Sequence, residues 1–136
     1  MIDDYAHHPE ELKALLKSVR SLFPLRLVTV IFQPHLFTRT RDLAQGFAEA
    51  LSIADRVILL PIYPARELPV EGITSELILN KIDKKDKQLI TKEELRKWMA
   101  EHVNELDKEF GEVIVMAGAG DIDALVDPVK KMIVDR

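Results

Sequence analysis

The chain has 136 residues, 47% of them hydrophobic, which suits one compact domain with a single core. Its formal net charge of -4, from 19 bases and 23 acids interspersed along the chain, argues against nucleic acid as a partner. No run of about 18 apolar residues and no signal-peptide pattern occurs, so neither a membrane partner nor secretion is expected. The lack of cysteine excludes disulfides, thiolate zinc sites and a cysteine nucleophile, and fits a cytoplasmic setting.

The chain opens on Met1 and Ile2 directly before Asp3, Asp4 and Tyr5, too little lead for a complete first strand, as in a piece detached from a longer protein. Over 9–22, Leu12, Leu15, Leu16, Val19 and Leu22 recur at helical spacing, and Pro9 suits the first helical position, where its missing N–H costs nothing. Residues 25–32 form a dense β-branched and aromatic run without alternation, the pattern of a central parallel strand covered on both faces. A polar loop holding Pro34 leads to a helix over about 41–52 that buries Leu43, Phe47, Ala50 and Leu51. A second buried strand is predicted over 57–62, followed by a loop over 63–72 with Pro64, Pro69 and Gly72, and a short helix over 74–82.

After a solvated connector, 88–90 reads as a short edge strand, because Thr91 with Glu94 makes a capping box that starts a helix to about Phe110. That helix is expected to bury Leu95, Trp98, Met99, Val103 and Leu106. Residues 113–116 form a third strong strand, ending in Ala117-Gly118-Ala119-Gly120 before a helix that Pro128 kinks or restarts. The alternation predicts an α/β domain, an open and mostly parallel Rossmann-like sheet with helices on both faces. In such sheets ligands bind outside the carboxyl ends of the strands.

Four loops follow predicted strands there: Asp4-Tyr5-Ala6-His7-His8-Pro9, the stretch 33–41, Tyr63-Pro64-Ala65-Arg66-Glu67, and Gly118-Ala119-Gly120-Asp121. Gathered on one rim they offer guanidinium and imidazole groups suited to phosphates or carboxylates, with Asp4 able to hold an amine or a ribose hydroxyl. Plainer readings stand beside this one. Arg39 and Arg41 are equally explained as solvated or helix-capping residues. One of the adjacent His7 and His8 is expected to be structural. A metal site from Asp4, His7 and His35 lacks supporting spacing, so no metal ligand is assigned. The Gly118–Gly120 turn is read as a tight strand-to-helix connection, with Asp121 as the helix N-cap. There is no G-x-x-x-x-G-K-S/T loop, so the chain has no P-loop of its own, and no G-x-S-x-G elbow.

The blocks Asp3-Asp4-Tyr5-Ala6-His7-His8-Pro9 with Glu11, and Phe32-Gln33-Pro34-His35 with Thr38-Arg39-Thr40-Arg41, closely resemble the C-terminal domain of the Mur ligase family. The later blocks Ile62-Tyr63-Pro64-Ala65-Arg66-Glu67, with Pro69, Gly72 and Thr74-Ser75, and Gly118-Ala119-Gly120-Asp121-Ile122 follow in the same order. The first block is shared across the family, whereas F-Q-P-H with T-R-T points to the branch that adds L-alanine to UDP-N-acetylmuramate in peptidoglycan synthesis.

The resemblance implies a three-domain enzyme: one domain for the UDP-sugar, a central ATPase that holds ATP and Mg2+, and this domain, which closes over the site and is inactive alone. The implied reaction activates the muramoyl carboxylate as an acyl phosphate, which the amine of L-alanine attacks. It assigns Asp4 and His7 as catalytic residues, and Tyr5, His35, Arg39 and Arg41 as substrate-binding residues; no nucleotide-binding residue is assigned. Members of the family often carry an arginine where this chain has Leu36, so Arg39 or Arg41 carries more of the binding here. The alternative from another class is a non-catalytic α/β module that binds a small anion or an acidic peptide. A receiver-like or flavodoxin-like domain lacks both the acidic pocket and the flavin loop.

Overall fold

The computed structural model describes residues 1–106 and 111–135. Its strands are β1 (Ile2–Asp4), β2 (Leu27–Phe32), β3 (Arg56–Leu59), β4 (Lys87–Leu89) and β5 (Glu112–Ala117). Its helices are α1 (Pro9–Leu22), α2 (Phe37–Leu51), α3 (Glu76–Leu79), α4 (Lys92–His102) and α5 (Asp123–Val134), with a 3-10 turn at Val103–Glu105. The five strands form one sheet in the order β1-β5-β2-β3-β4, and every pairing is parallel.

Side chains alternate along each strand, so the sheet feeds two cores. Val28, Val30 and Phe32 of β2 point to the face covered by α1, α2 and α3, where the Phe32 and Phe47 rings meet at 5.3 Å. Ile31, Ile58, Ile114 and Met116 point to the opposite face, under Leu95 and Met99 of α4 and Leu125 and Val129 of α5. Burial of a large apolar side chain contributes about 1.5–3 kcal/mol, so these two layers supply the main driving force for the fold.

Several expectations are corrected. Ile2–Asp4 does form a strand, short but in register with Val115–Ala117 of β5. Helix α2 begins at Phe37, four residues before the expected start, because Leu36 and Glu67 supply a beginning that has no local sequence signature. Leu22, at the end of α1, is 71% exposed rather than buried. Trp98 is only partly buried and stacks on His102 at 4.3 Å. The Thr91–Glu94 capping box is present, but α4 ends at His102 and gives way to the 3-10 turn at Val103–Glu105; the end of the expected helix, 107–110, lies outside the described residues. Helix α5 runs through Pro128 without restarting. Asp121 is not the N-cap of α5, a position held by Ile122; its carboxylate is drawn instead to Gln33 and Lys92.

The order of the strands decides where a ligand can sit. Strand β5 lies between β1 and β2, and its helix α5 packs on the opposite face from α1 and α2, which follow those neighbours. The connections leaving the carboxyl ends of β1, β5 and β2 therefore diverge, and a crevice opens between them.

Candidate functional site

The loop after β1 is built by its own backbone. Asp4 Oδ1 accepts from Ala6 N–H at 2.9 Å and the Asp4 carbonyl accepts from Gly118 N–H at 3.2 Å, which ties this loop to the end of β5. Glu11, in the first turn of α1, accepts from the backbone N–H groups of His7 (3.3 Å) and His8 (3.1 Å). The His7 backbone bond leads in holding the Glu11 carboxyl below the usual range, burial opposes it weakly, and the His7 charge adds to the lowering. His7 Nδ1 lies 2.9 Å from the Tyr5 carbonyl. A carbonyl only accepts, so Nδ1 carries the proton and Nε2 of the neutral ring is the basic nitrogen. The Tyr5 ring, 69% exposed, meets His7 edge-on at 5.4 Å.

The loop after β2 continues the pairing with β3 beyond the strands themselves. Tyr63 N–H donates to the Pro34 carbonyl at 2.8 Å, Leu36 N–H donates to the Tyr63 carbonyl at 2.9 Å, and His35 bridges to Tyr63 in parallel. This pairing stacks the His35 ring on Tyr63 at 5.6 Å and brings it within 6.2 Å of the His7 ring. Arg39, four residues after His35 in the first turn of α2, places Nη1 3.3 Å from His35 Nδ1. Burial, then the Arg39 charge, then His7, lower the pKa of His35, with Glu67 opposing, so the ring is held neutral.

The rim continues through Gln33 and Asp121. Gln33 is buried; its amide donates to Asp121 Oδ1 at 2.6 Å, and its carbonyl oxygen accepts from Ile122 N–H at 2.9 Å. Lys92 pairs with the other oxygen of Asp121. Burial works against ionisation of Asp121, but Lys92 and Gln33 outweigh it and its pKa is lowered. Gly118 (φ 146) and Gly120 make this turn possible: a Cβ on Gly120 would lie 2.6 Å from both Gln33 Oε1 and Tyr63 Cγ. Cavities of about 330 Å³ beside Asp4 and Tyr5, and of about 250 Å³ between Tyr63 and Lys92, flank the cluster.

The structure thus brings Asp4, Tyr5, His7, His35 and Arg39 onto one edge, as expected from the loops. Arg41 is on the same helix but, two residues on from Arg39, projects to another side, where it is exposed and pairs with Asp42 at 2.8 Å. Arg66 is exposed at the loop tip. Sequence reasoning missed three contributors. Gln33 and Glu67 stood in the blocks that carry the resemblance but were given no role there; Lys92 gave no signal, and the partners of Glu67 and Lys92 are 29 or 30 residues away. Chemically, a guanidinium beside the His35 imidazole, with a second imidazole, His7, on from it, repels a divalent cation and suits a carboxylate or phosphate. Among the described residues no group of His, Asp and Glu is placed to hold a metal.

A larger cavity, about 670 Å³, lies at the other edge, beside the amino ends of the strands. Much of its charged lining is paired: Arg20 with Asp55 at 2.9 Å, Arg56 with Asp86 at 2.8 Å, and His102 with Glu112 at 2.8 Å, while Arg26 lies over the Phe23 ring. That edge holds the fold together.

Comparison with known proteins identifies the family. The family model described as the Mur ligase, glutamate ligase domain matches residues 1–120. The chain belongs to the Mur ligase C-terminal domain family. Among its curated Mur ligase relatives, the UDP-N-acetylmuramate-L-alanine ligase of Cytophaga hutchinsonii is 50% identical over 135 residues, 99% of this chain and 28% of that enzyme. The enzyme of the same name from Christiangramia forsetii is 51% identical over 131 residues, 96% of this chain and 27% of that one. The chain therefore spans somewhat over a quarter of the length of these Mur ligases. Among solved structures, the UDP-N-acetylmuramate-alanine ligase of Thermotoga maritima is 26% identical, with a TM-score of 0.61 over 98% of this chain and 25% of that one. A murein peptide ligase from Psychrobacter arcticus, 17% identical with a TM-score of 0.69 over 96% of this chain and 26% of its own, shares the fold. No helix among the described residues is long and apolar enough to cross a membrane.

Proposed function

We propose that this domain is the C-terminal part of a cytoplasmic, ATP-dependent ligase that joins L-alanine to UDP-N-acetylmuramate, and that its rim closes over the reacting groups. The juxtaposition of His7, His35 and Arg39 on the edge that carries Asp4 supports this reading most directly. The names of the relatives at about half identity supply the substrates. ATP with Mg2+, held in the parts of such a ligase outside these residues, supplies the phosphoryl group that activates the muramoyl carboxylate.

The residues of this chain then have separable tasks. Arg39 receives the α-carboxylate of alanine through paired N–H groups, and the neutral His35 adds its Nε2–H donor. Arg41, exposed beyond this pair, adds positive potential that attracts anionic substrate. The lone pair of His7 Nε2 takes a proton from the alanine ammonium, freeing the amine for attack. Asp4 keeps Oδ2 available for the ammonium or a ribose hydroxyl, since Oδ1 is engaged by Ala6. The exposed Tyr5 ring covers the bound groups and helps exclude water from an activated carboxylate. All of these tasks are positioning and proton transfer, and none requires a nucleophile here.

The division of labour is tested by measuring ADP formation. The 136-residue chain supplied with alanine, ATP and UDP-N-acetylmuramate is expected to form none, while the full-length ligase forms ADP only when alanine is present. Alanine-dependent turnover by the chain itself would overturn the proposal.

A further inference from the structure

Helix α2 begins without a cap of its own. Leu36 occupies the N-cap position with an apolar side chain and a φ of 74°, a conformation costly for a branched residue. The first N–H groups of the helix are donors without a partner inside it. The Glu67 carboxylate, 30 residues further along the chain, meets them: Oε1 accepts from Phe37 N–H at 2.5 Å and from Thr38 N–H at 3.2 Å. Its other oxygen accepts from the Thr38 hydroxyl at 2.5 Å. The Thr38 hydroxyl bond leads in lowering the pKa of Glu67, burial opposes, and the two backbone donors and the Arg41 charge add to the lowering.

This grip falls on the turn that carries the site. Arg39 is the third residue of α2, and its guanidinium reaches back to His35. The same 63–67 loop holds the approach to the helix from the other side, where the Tyr63 carbonyl accepts from Leu36 N–H at 2.9 Å. Leu36 and the first turn of α2 are therefore clamped at two points by one loop. An anion this close to a carboxylate-binding arginine works against binding unless it is itself neutralised. Three donors and the positive end of the helix do that here.

We infer that Glu67 is a positioning residue for the amino-acid carboxylate site: as a cap supplied from a distant loop it sets the direction in which α2 starts, and through it the place of Arg39 beside His35. The inference rests on the reading of Arg39 and His35 as ligands of the alanine carboxylate. Glu67 touches no substrate in this scheme.

The test uses the full-length ligase with Glu67→Ala, Glu67→Gln and Arg39→Ala. Glu67→Ala is expected to raise the KM for alanine roughly tenfold or more, because a small displacement of a positioning group is felt strongly. Its kcat at saturating alanine and its KM for ATP stay within about twofold of the parent. Glu67→Gln brings the alanine KM back to within about threefold, since an amide oxygen still accepts from the backbone N–H groups and its NH2 donates to Thr38 Oγ. A lower melting temperature and lower kcat in both Glu67 variants, with the alanine KM unchanged, is the signature of a cap that only stabilises, and overturns the inference. If Arg39→Ala raises the alanine KM and Glu67→Ala does not, the positioning claim fails and the carboxylate site stands. If Arg39→Ala leaves that KM alone, the site reading falls and takes the positioning claim with it. Should Glu67→Ala not fold, Glu67→Asp, one methylene too short to hold all three donors, is read in the same way: a raised alanine KM supports the inference and an unchanged one overturns it.

Discussion

Nη1 of Arg39 lies 3.3 Å from Nδ1 of His35, four residues back, just before α2 begins. A guanidinium can only donate, so Nδ1 is the acceptor and the ring proton sits on Nε2. The pair thus presents a positive charge and a neutral donor side by side. In the full-length ligase, Arg39→Ala removes charge-assisted hydrogen bonds of about 1.5–3 kcal/mol, and the KM for alanine is expected to rise roughly 10- to 100-fold. Arg39→Lys restores only part of that, because an ammonium lacks the planar fork. Steady-state kinetics at varied alanine decide the matter, and an unchanged KM and kcat in Arg39→Ala rules out the assigned role.

The same contact sets a pH dependence. Burial, Arg39 and His7 hold His35 below the ordinary histidine value of about 6.5. The unfolded chain then binds a proton that the folded chain does not. The His35 contribution to stability is complete above the ordinary value, shrinks as the pH falls from there toward the depressed folded value, and levels off below it. Titration of the His35 ring by NMR should give a midpoint below that of free histidine. Arg39→Ala should move it upward, because the Arg39 charge is removed; a downward movement contradicts the assignment.

How far the sequence could carry these conclusions depended on the range of the interactions involved. Helix α1 was legible to the residue, because Pro9, the spacing of Leu12, Leu16 and Val19, and the acidic first turn are all local. The order β1-β5-β2-β3-β4 was not, since nothing local states that the last strand inserts between the first two. The start of α2 was misplaced for the same reason: its cap arrives from Glu67, and Leu36 gives no sign of a helix beginning. His7, His35 and Arg39 could be placed on the rim because each follows a strand, whereas the exact partner of each could not. Asp121 shows the limit most clearly. Its position after Gly120 suggests an N-cap, yet buried Gln33 and Lys92 together outbid the local helix for its carboxylate.

Gly120 should not tolerate a side chain. Its φ is ordinary, so the cost is steric: a Cβ there would lie 2.6 Å from Gln33 Oε1 and 2.6–2.7 Å from Tyr63. Gln33 is held by Asp121 and Ile122, and Tyr63 by its backbone pairing with Pro34 and Leu36, so neither yields freely. Gly120→Ala is expected to destabilise the chain by about 1–3 kcal/mol, the usual range for overpacking. It should also move the Tyr63 ring from its stack on His35, visible as a change in the His35 ring shifts. Chemical denaturation that finds a difference below about 0.5 kcal/mol, the range of neutral surface changes, counts against the packing described here.

The amino-terminal edge of the sheet offers the complementary prediction. Asp55 Oδ2 accepts from Val28 N–H at 2.8 Å and from Arg20 Nη1 at 2.9 Å, fastening the end of α1 and the approach to β3 onto β2. Burial opposes ionisation of Asp55, but Arg20 and the Val28 N–H prevail and lower its pKa. Its contribution is therefore present above the ordinary carboxylate range and is lost as the pH falls through the depressed folded value. The Asp55 side chain is 34% exposed, so solvent screens the pair. Asp55→Ala should accordingly cost only about 1–2 kcal/mol, most of it from the Val28 N–H left without its partner. In the full-length ligase this variant should melt at a lower temperature while keeping the parent KM for alanine, the reverse of Arg39→Ala. The two edges of one sheet would then separate in a single pair of measurements, because the Arg20–Asp55 pair is fastened to the start of β2 through the Val28 N–H, whereas the proposed carboxylate site follows its last residue. A raised alanine KM in Asp55→Ala would mean that the edges are coupled through the strand, and would remove the grounds for treating the larger cavity as purely structural.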